Sequence, residues 1–100
     1  MYVGLAKLSM WFDGSSELKY KKSVVQKIKS RLKANFNLSI AQVDKDPEEG
    51  DFVTLGFAVV GHSSAIVDNQ LTSAINFLES LSLARVKEEK REIIYFDGED

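Results

Sequence analysis

The chain has no cysteine and only one proline, one histidine and one tryptophan. Without cysteine, no disulfide and no thiolate metal site can form, and nothing points to export. The single histidine, His62, falls in a strand-to-helix turn, where such a residue usually serves as a cap or a surface group. No Ser-His-Asp arrangement can be assembled around it without arbitrary choices, and a cysteine nucleophile is missing. Neither a GxGxxG nor a GxxxxGK[ST] run is present, so Gly56 and Gly61 do not form a phosphate loop. A calcium loop started at Asp44 would need glycine where Glu49 stands and glutamate where Leu55 stands, and it fails both tests. No apolar run approaches the roughly 18 residues that span a bilayer. The opening MYVGLAKLSMWF alternates like a strand and lacks the basic start and small-residue cleavage site of a signal peptide. These absences predict a cytoplasmic protein with no membrane association, no catalytic residues, no metal and no cofactor.

What is present is periodic. With 44% hydrophobic and 28% charged residues, 100 residues suit one globular domain over 1–100, whose acidic end, 97–100, is expected to be poorly ordered. Residues 2–12 alternate with Tyr2, Gly4, Ala6, Leu8, Met10 and Phe12 on one side, predicting a strand with its even positions on the core. Asp13–Ser16 reads as a turn, with Ser16 as N-cap and Glu17 favouring the helix dipole. A helix follows over about 17–34, its stripe made by Leu18, Val25, Ile28, Leu32 and then Phe36. Leu38–Val43 predicts a second strand, although Leu38/Ile40 and Ala41/Val43 qualify equally as its inner face. An acidic turn around Pro47 leads to Phe52–Val60, nearly continuous apolar sequence that suits a central strand. A second helix carries Val67, Leu71, Ala74, Leu78 and Leu81, and Ala84–Phe96 closes as a long strand with a charged middle.

The order β-α-β-β-α-β, with right-handed crossovers, predicts an α+β ferredoxin-like sandwich. Its four-stranded antiparallel sheet would have strand order 4-1-3-2 and both helices on one face. The other sheet face then carries Val3, Leu5 and Trp11 towards water, which predicts a covering homodimer or protein partner there.

Charge is distributed unevenly. The chain totals 13 Lys+Arg against 15 Asp+Glu, yet residues 15–36 hold seven of the cations and one acid. On a helical wheel Lys19, Lys22, Gln26, Lys29 and Lys33 fall within an arc of about 80°, beside the apolar stripe. Lys27 and Arg31 lie on the far side with Tyr20. Lys21 falls inside the stripe itself, as a side chain that snorkels past the core edge or meets a carboxylate or ligand. A helix packed on a sheet exposes a polar face in any case, but such faces usually mix signs to gain i,i+4 pairs. This one hardly does. The one-sided row predicts phosphate contacts to RNA through Lys19, Lys22, Lys29 and Lys33, widened by Lys27, Arg31 and Lys21. A merely solvated face and docking to an acidic protein are the alternatives.

Several stretches together resemble a known family. They are Val3-Gly4, Leu18-Lys19-x-Lys21-Lys22, Asn37-Leu-Ser-Ile-Ala-Gln-Val43, Leu55-Gly-Phe-Ala-Val-Val-Gly61 and Arg91-Glu-Ile-Ile94. The chain is similar over nearly its whole length to the small bacterial family exemplified by YlxP, which has no established activity. The resemblance implies the ferredoxin-like fold. It also implies an RNA-related role, because family members are often encoded beside translation and ribosome-maturation genes. One departure is Gly50-Asp51-Phe52-Val53, where relatives often carry Trp-Gln-Arg-Ala. The third strand is also similar to the RNP1 signature of RNA-recognition modules. It lacks the cation before the glycine, where Leu55 stands, and the second aromatic, where Val59 stands, so base stacking on the sheet is not expected. The function predicted is therefore a non-enzymatic RNA-binding accessory factor in ribosome maturation or translation. The alternatives are a dimeric ligand-sensing or protein-interaction module, and an enzyme subunit completed by a partner.

Overall fold

The computed structural model describes residues 1–12, 18–45 and 52–99, and in the first helix the side chains from Tyr20 onward. The elements are β1 (Tyr2–Trp11), α1 (Leu18–Asn35), β2 (Ser39–Gln42), β3 (Phe52–Gly61), α2 (Ser64–Ser80) and β4 (Arg85–Tyr95). All strand pairs are antiparallel in the order β2-β3-β1-β4, which is the expected ferredoxin-like sheet. The expected N-cap Ser16, with Asp46 and Glu48 of the acidic turn, lies outside the described residues.

Alternation in β1 decides the two faces. Gly4, Ala6, Leu8, Met10 and Phe12 are buried beneath the helices, while Leu5 and Lys7 are exposed on the opposite face. In β3 the odd positions Val53, Leu55, Phe57 and Val59 join them, since the register sets Phe57 beside Ala6 and Leu55 beside Leu8. The ambiguity in β2 resolves with Ile40 buried and Leu38 half-buried, leaving Ala41 and Val43 exposed. Both parities of β2 are apolar, so only its register beside Phe57 separates them. Asp44 closes this hairpin: its carboxylate accepts from Thr54 N at 2.9 Å and from Gln42 Nε2 at 2.8 Å.

Helix α2 lies over β1, β3 and β4, and α1 packs on β2 and α2. The α2 core stripe is Val67, Leu71, Ala74, Ile75 and Leu78. Its N-cap is Ser63, whose Oγ accepts from Ile66 N at 3.2 Å; His62 is exposed just before it. Two glycine-type positions matter. A methyl on Gly4 would overlap Val67 Cγ1, so α2 sits on β1 only because position 4 has no side chain. Ser82, after the helix, takes the left-handed φ of 55°, which L side chains visit at a cost. Arg91 fastens β4 to α2 by donating to Asp68 Oδ1 at 2.8 Å and Thr72 Oγ1 at 2.7 Å, with Glu89 at 3.0 Å on its other side. Burial alone would lower its pKa, but the Asp68 hydrogen bond and the charges of Glu89 and Asp68 outweigh that and raise it.

Candidate nucleic-acid interface

Helix α1 is built mostly from good helix formers and carries neither glycine nor proline. It holds seven cations and no acid between Leu18 and Asn35. Val24, Val25, Ile28 and Leu32 are buried. Val24 extends the stripe beyond its expected members, and Phe36 is half-buried against Phe77 of α2, with ring centroids 5.5 Å apart.

The predicted cations separate into three groups. Lys22 and Lys33 are exposed and Lys29 is half-buried between them on the same side of the helix. Lys27 and Arg31 are exposed on the other flank. Between the two rows run Ser23, Ser30 and Ala34, all exposed and all small, so no bulky group separates the flanking cations. The side chain of Lys19 lies outside the described residues. Lys21 stands apart: it is 2% exposed, among the largest fully buried side chains. It does not snorkel to water; its ammonium is engaged inside the fold, and among the described residues no buried side-chain nitrogen or oxygen lacks a partner. Lys21 therefore offers a phosphate no surface.

Among the described residues, no ion pair neutralises Lys22, Lys27, Lys29, Arg31 or Lys33. From Lys22 to Lys33 the row extends about 16 Å at the helical rise of about 1.5 Å per residue. The neighbouring helix does not oppose this field. Its exposed positions include Asn69, Gln70, Thr72, Ser73 and Asn76, all uncharged, with Ile66 exposed in the first turn and Glu79 in the last. Its acids are Asp68, which is held by Arg91, and Glu79. The helix layer as a whole thus presents a cationic strip beside a neutral, hydrogen-bonding strip. Groups of acids and histidine able to hold a metal ion are absent among the described residues.

The open sheet face holds the predicted contact residues, with Leu5 exposed and Val3 and Trp11 half-buried. Trp11 is covered in part by Phe52, 4.0 Å away between ring centroids, and by Lys87, whose Nζ lies 5.6 Å over the ring. A bulge in the β1–β4 pairing at Ser9/Met10 places Lys87 there. Sequence reasoning missed one feature of this face, a groove of about 460 Å³ lined by Leu5, Lys7, Ala41, Gly56, Ala58 and Lys90. The small residues are visible in the sequence, but their adjacency depends on the register between strands.

The model of a family described as a protein of unknown function, DUF503, matches residues 3–91. No curated protein matches the chain. Among solved structures, the de novo designed protein Foldit4 superposes with a TM-score of 0.52 at 5% identity, covering 95% of this chain and 97% of that one. At3g17210 from Arabidopsis thaliana gives a TM-score of 0.50 at 10% identity, with 93% of each chain covered. A putative antibiotic biosynthesis monooxygenase from Deinococcus radiodurans gives 0.50 at 15% identity, covering 100% of this chain and 95% of that one. A designed protein fits as well as two natural ones, so these likenesses carry shape and no activity.

Proposed function

Since the chain belongs to the DUF503 family, whose function is unknown, we propose from its surface chemistry that it is a non-enzymatic RNA-binding accessory protein acting in the cytoplasm. Its RNA would be ribosomal or a ribosomal precursor, in line with the family resemblance to YlxP. One observation carries the reading: α1 presents Lys22, Lys29 and Lys33 on one flank and Lys27 and Arg31 on the other, without a neutralising acid among the described residues. Like charges along a helix repel one another at a cost of a few tenths of a kcal/mol per pair, of order 0.2–0.5. A polyanion turns that cost into attraction. Phosphate contacts of this kind supply affinity and steering without reading sequence. The uncharged outer face of α2 supports a broad nucleic-acid footprint across the helix layer, where backbone or ribose hydroxyls could accept and donate hydrogen bonds.

The test is a triple charge reversal, Lys22→Glu, Lys29→Glu and Lys33→Glu, assayed by gel retardation of structured RNA. These side chains leave the core stripe intact, so circular dichroism should show the wild-type fold. Retention should weaken at least tenfold. Unchanged retention by a folded variant would mean the cations are only a solvated surface.

A further inference from the structure

The open face of the sheet carries an independent feature that RNA binding through α1 does not use. In the register, Ala41 pairs with Gly56 and Ser39 with Ala58, and β1 sets Lys7 beside Gly56 and Leu5 beside Ala58. Four adjacent surface positions therefore hold nothing larger than a serine, with Leu5, Lys7 and Val43 standing around them. The result is the groove of about 460 Å³ across a sheet face. That volume falls within the roughly 300–1,000 Å³ typical of small-molecule sites.

Packing does not account for the glycine at its floor. Gly and Ala are poor strand residues, and an interior strand glycine often marks the close approach of a ligand or another backbone. At Gly4 the cause is plain, because Val67 occupies the space. At Gly56 an added Cβ would meet chiefly Val43 Cγ1 at 3.1 Å, on a surface side chain that is 47% exposed and free to give way. The fold would accept a side chain at 56, yet none is there.

The rim adds a charge feature. Lys7 and Lys90 are direct cross-strand partners on this face, and both are exposed. Like charges placed opposite one another destabilise a sheet. The acid nearest Lys90 is Glu88, 3.7 Å away with both side chains largely in water, and Lys7 has no ion pair among the described residues. Arg91 is on the other face, tied to Asp68. Glu92, paired with Leu5, borders the groove two residues along β4 from Lys90, so the place suited to an anion is the Lys7–Lys90 pair on the side away from Glu92.

We propose that this groove binds a small organic anion with a flat apolar body, an aromatic or short acyl carboxylate or sulfonate. The body lies on Ala41, Gly56 and Ala58, and the anionic group bridges Lys7 and Lys90.

The probe is 8-anilinonaphthalene-1-sulfonate, titrated into the 15N-labelled full chain and followed by amide chemical shifts. Saturable one-to-one shifts centred on Lys7, Ala41, Gly56 and Ala58 are expected. Lys7→Gln with Lys90→Gln should weaken binding at least tenfold, as should replacing the probe by neutral N-phenyl-1-naphthylamine. Ala58→Leu, which fills the groove from the surface, should abolish it. The triple α1 charge reversal should leave it unchanged, which separates this site from RNA binding. Absent or non-saturable shifts, equal affinity for the neutral analogue, or indifference to the lysine pair would overturn the proposal. So would a native dimer in sedimentation whose sheet-face amides are protected and unmoved by the probe, since a second copy would then occupy the face.

Discussion

Replacing Gly4 by alanine tests the packing of the helix layer on the sheet. The new methyl would overlap Val67 Cγ1 and lie 3.0 Å from Leu71 Cδ1 and 3.1 Å from Val59 Cγ2, all of them core side chains. Valine on a helix has essentially one χ1 rotamer, so Val67 cannot swing aside and α2 itself must lift from β1. Overpacking of this kind costs about 1–3 kcal/mol. With a urea m-value of about 1.5 kcal/mol/M, a 2 kcal/mol loss lowers the unfolding midpoint by about 1.3 M. Val67→Ala alone should cost about 2 kcal/mol through the cavity it leaves. In the double variant, the methyl at position 4 enters that cavity, so the combined cost should fall at least about 1 kcal/mol below the sum. Urea unfolding monitored by circular dichroism measures all four corners of the cycle. A Gly4→Ala midpoint equal to wild type, or strict additivity, would refute the claim that Val67 fills the place of a side chain at position 4.

Three further substitutions probe other joints. Arg91→Ala removes the bonds to Asp68 and Thr72 and should cost about 1–2 kcal/mol in urea unfolding, a charged hydrogen-bond value reduced for the half-exposed acid. Because the Arg91 pKa is raised, its contribution is complete below the ordinary guanidinium range and fades only in stronger alkali. The deficit of the variant should therefore stay constant across neutral and mildly alkaline pH. Lys21→Met keeps the apolar stem but removes a buried, engaged ammonium; it should cost about 1–3 kcal/mol and leave RNA affinity unchanged. A loss of affinity at unchanged stability would return Lys21 to the binding surface. Ser82→Gly relieves the positive φ after α2 and should raise the unfolding midpoint, by up to about 1 kcal/mol of stability.

How much was legible before the structure differs by residue. The even set of β1 was readable, because side chains alternate between the helix-covered face and the open one; the apolar run of β3 marked a central strand, but its buried face follows only from the register with β1. Of the α1 stripe, Val25, Ile28 and Leu32 were readable and the side chain of Leu18 lies outside the described residues; Val24 was not readable, because it lies on the border between core and flank and gains its burial from the neighbouring packing. The facing of β2 was not readable, since alanine, valine, leucine and isoleucine occur on both parities and register alone selects Ile40. For Lys21 the wheel angle placed it correctly in the stripe. The expected snorkelling assumed a helix edge open to water, which full burial removes. The contacts of Arg91 and the pairing of Lys7 with Lys90 join residues far apart in the chain, so no local pattern could have shown them.

The fold and the surface chemistry divide the labour. The core stripe of α1 fixes the helix on β2 and α2, and that attachment holds two rows of cations in a rigid strip above a neutral neighbour. The opposite sheet face is free of this requirement, and there small residues and a like-charged lysine pair create a separate pocket.

The central claim, that α1 binds RNA through its phosphates, is tested most directly by the salt dependence of affinity for duplex RNA. Each phosphate contact contributes a log–log slope of about −0.9. Changing Lys22, Lys29 and Lys33 to glutamine should therefore make the wild-type slope shallower by about 2.7, with affinity reduced alike for unrelated RNA sequences. An identical slope in wild type and variant, or RNA binding indifferent to salt, would contradict it.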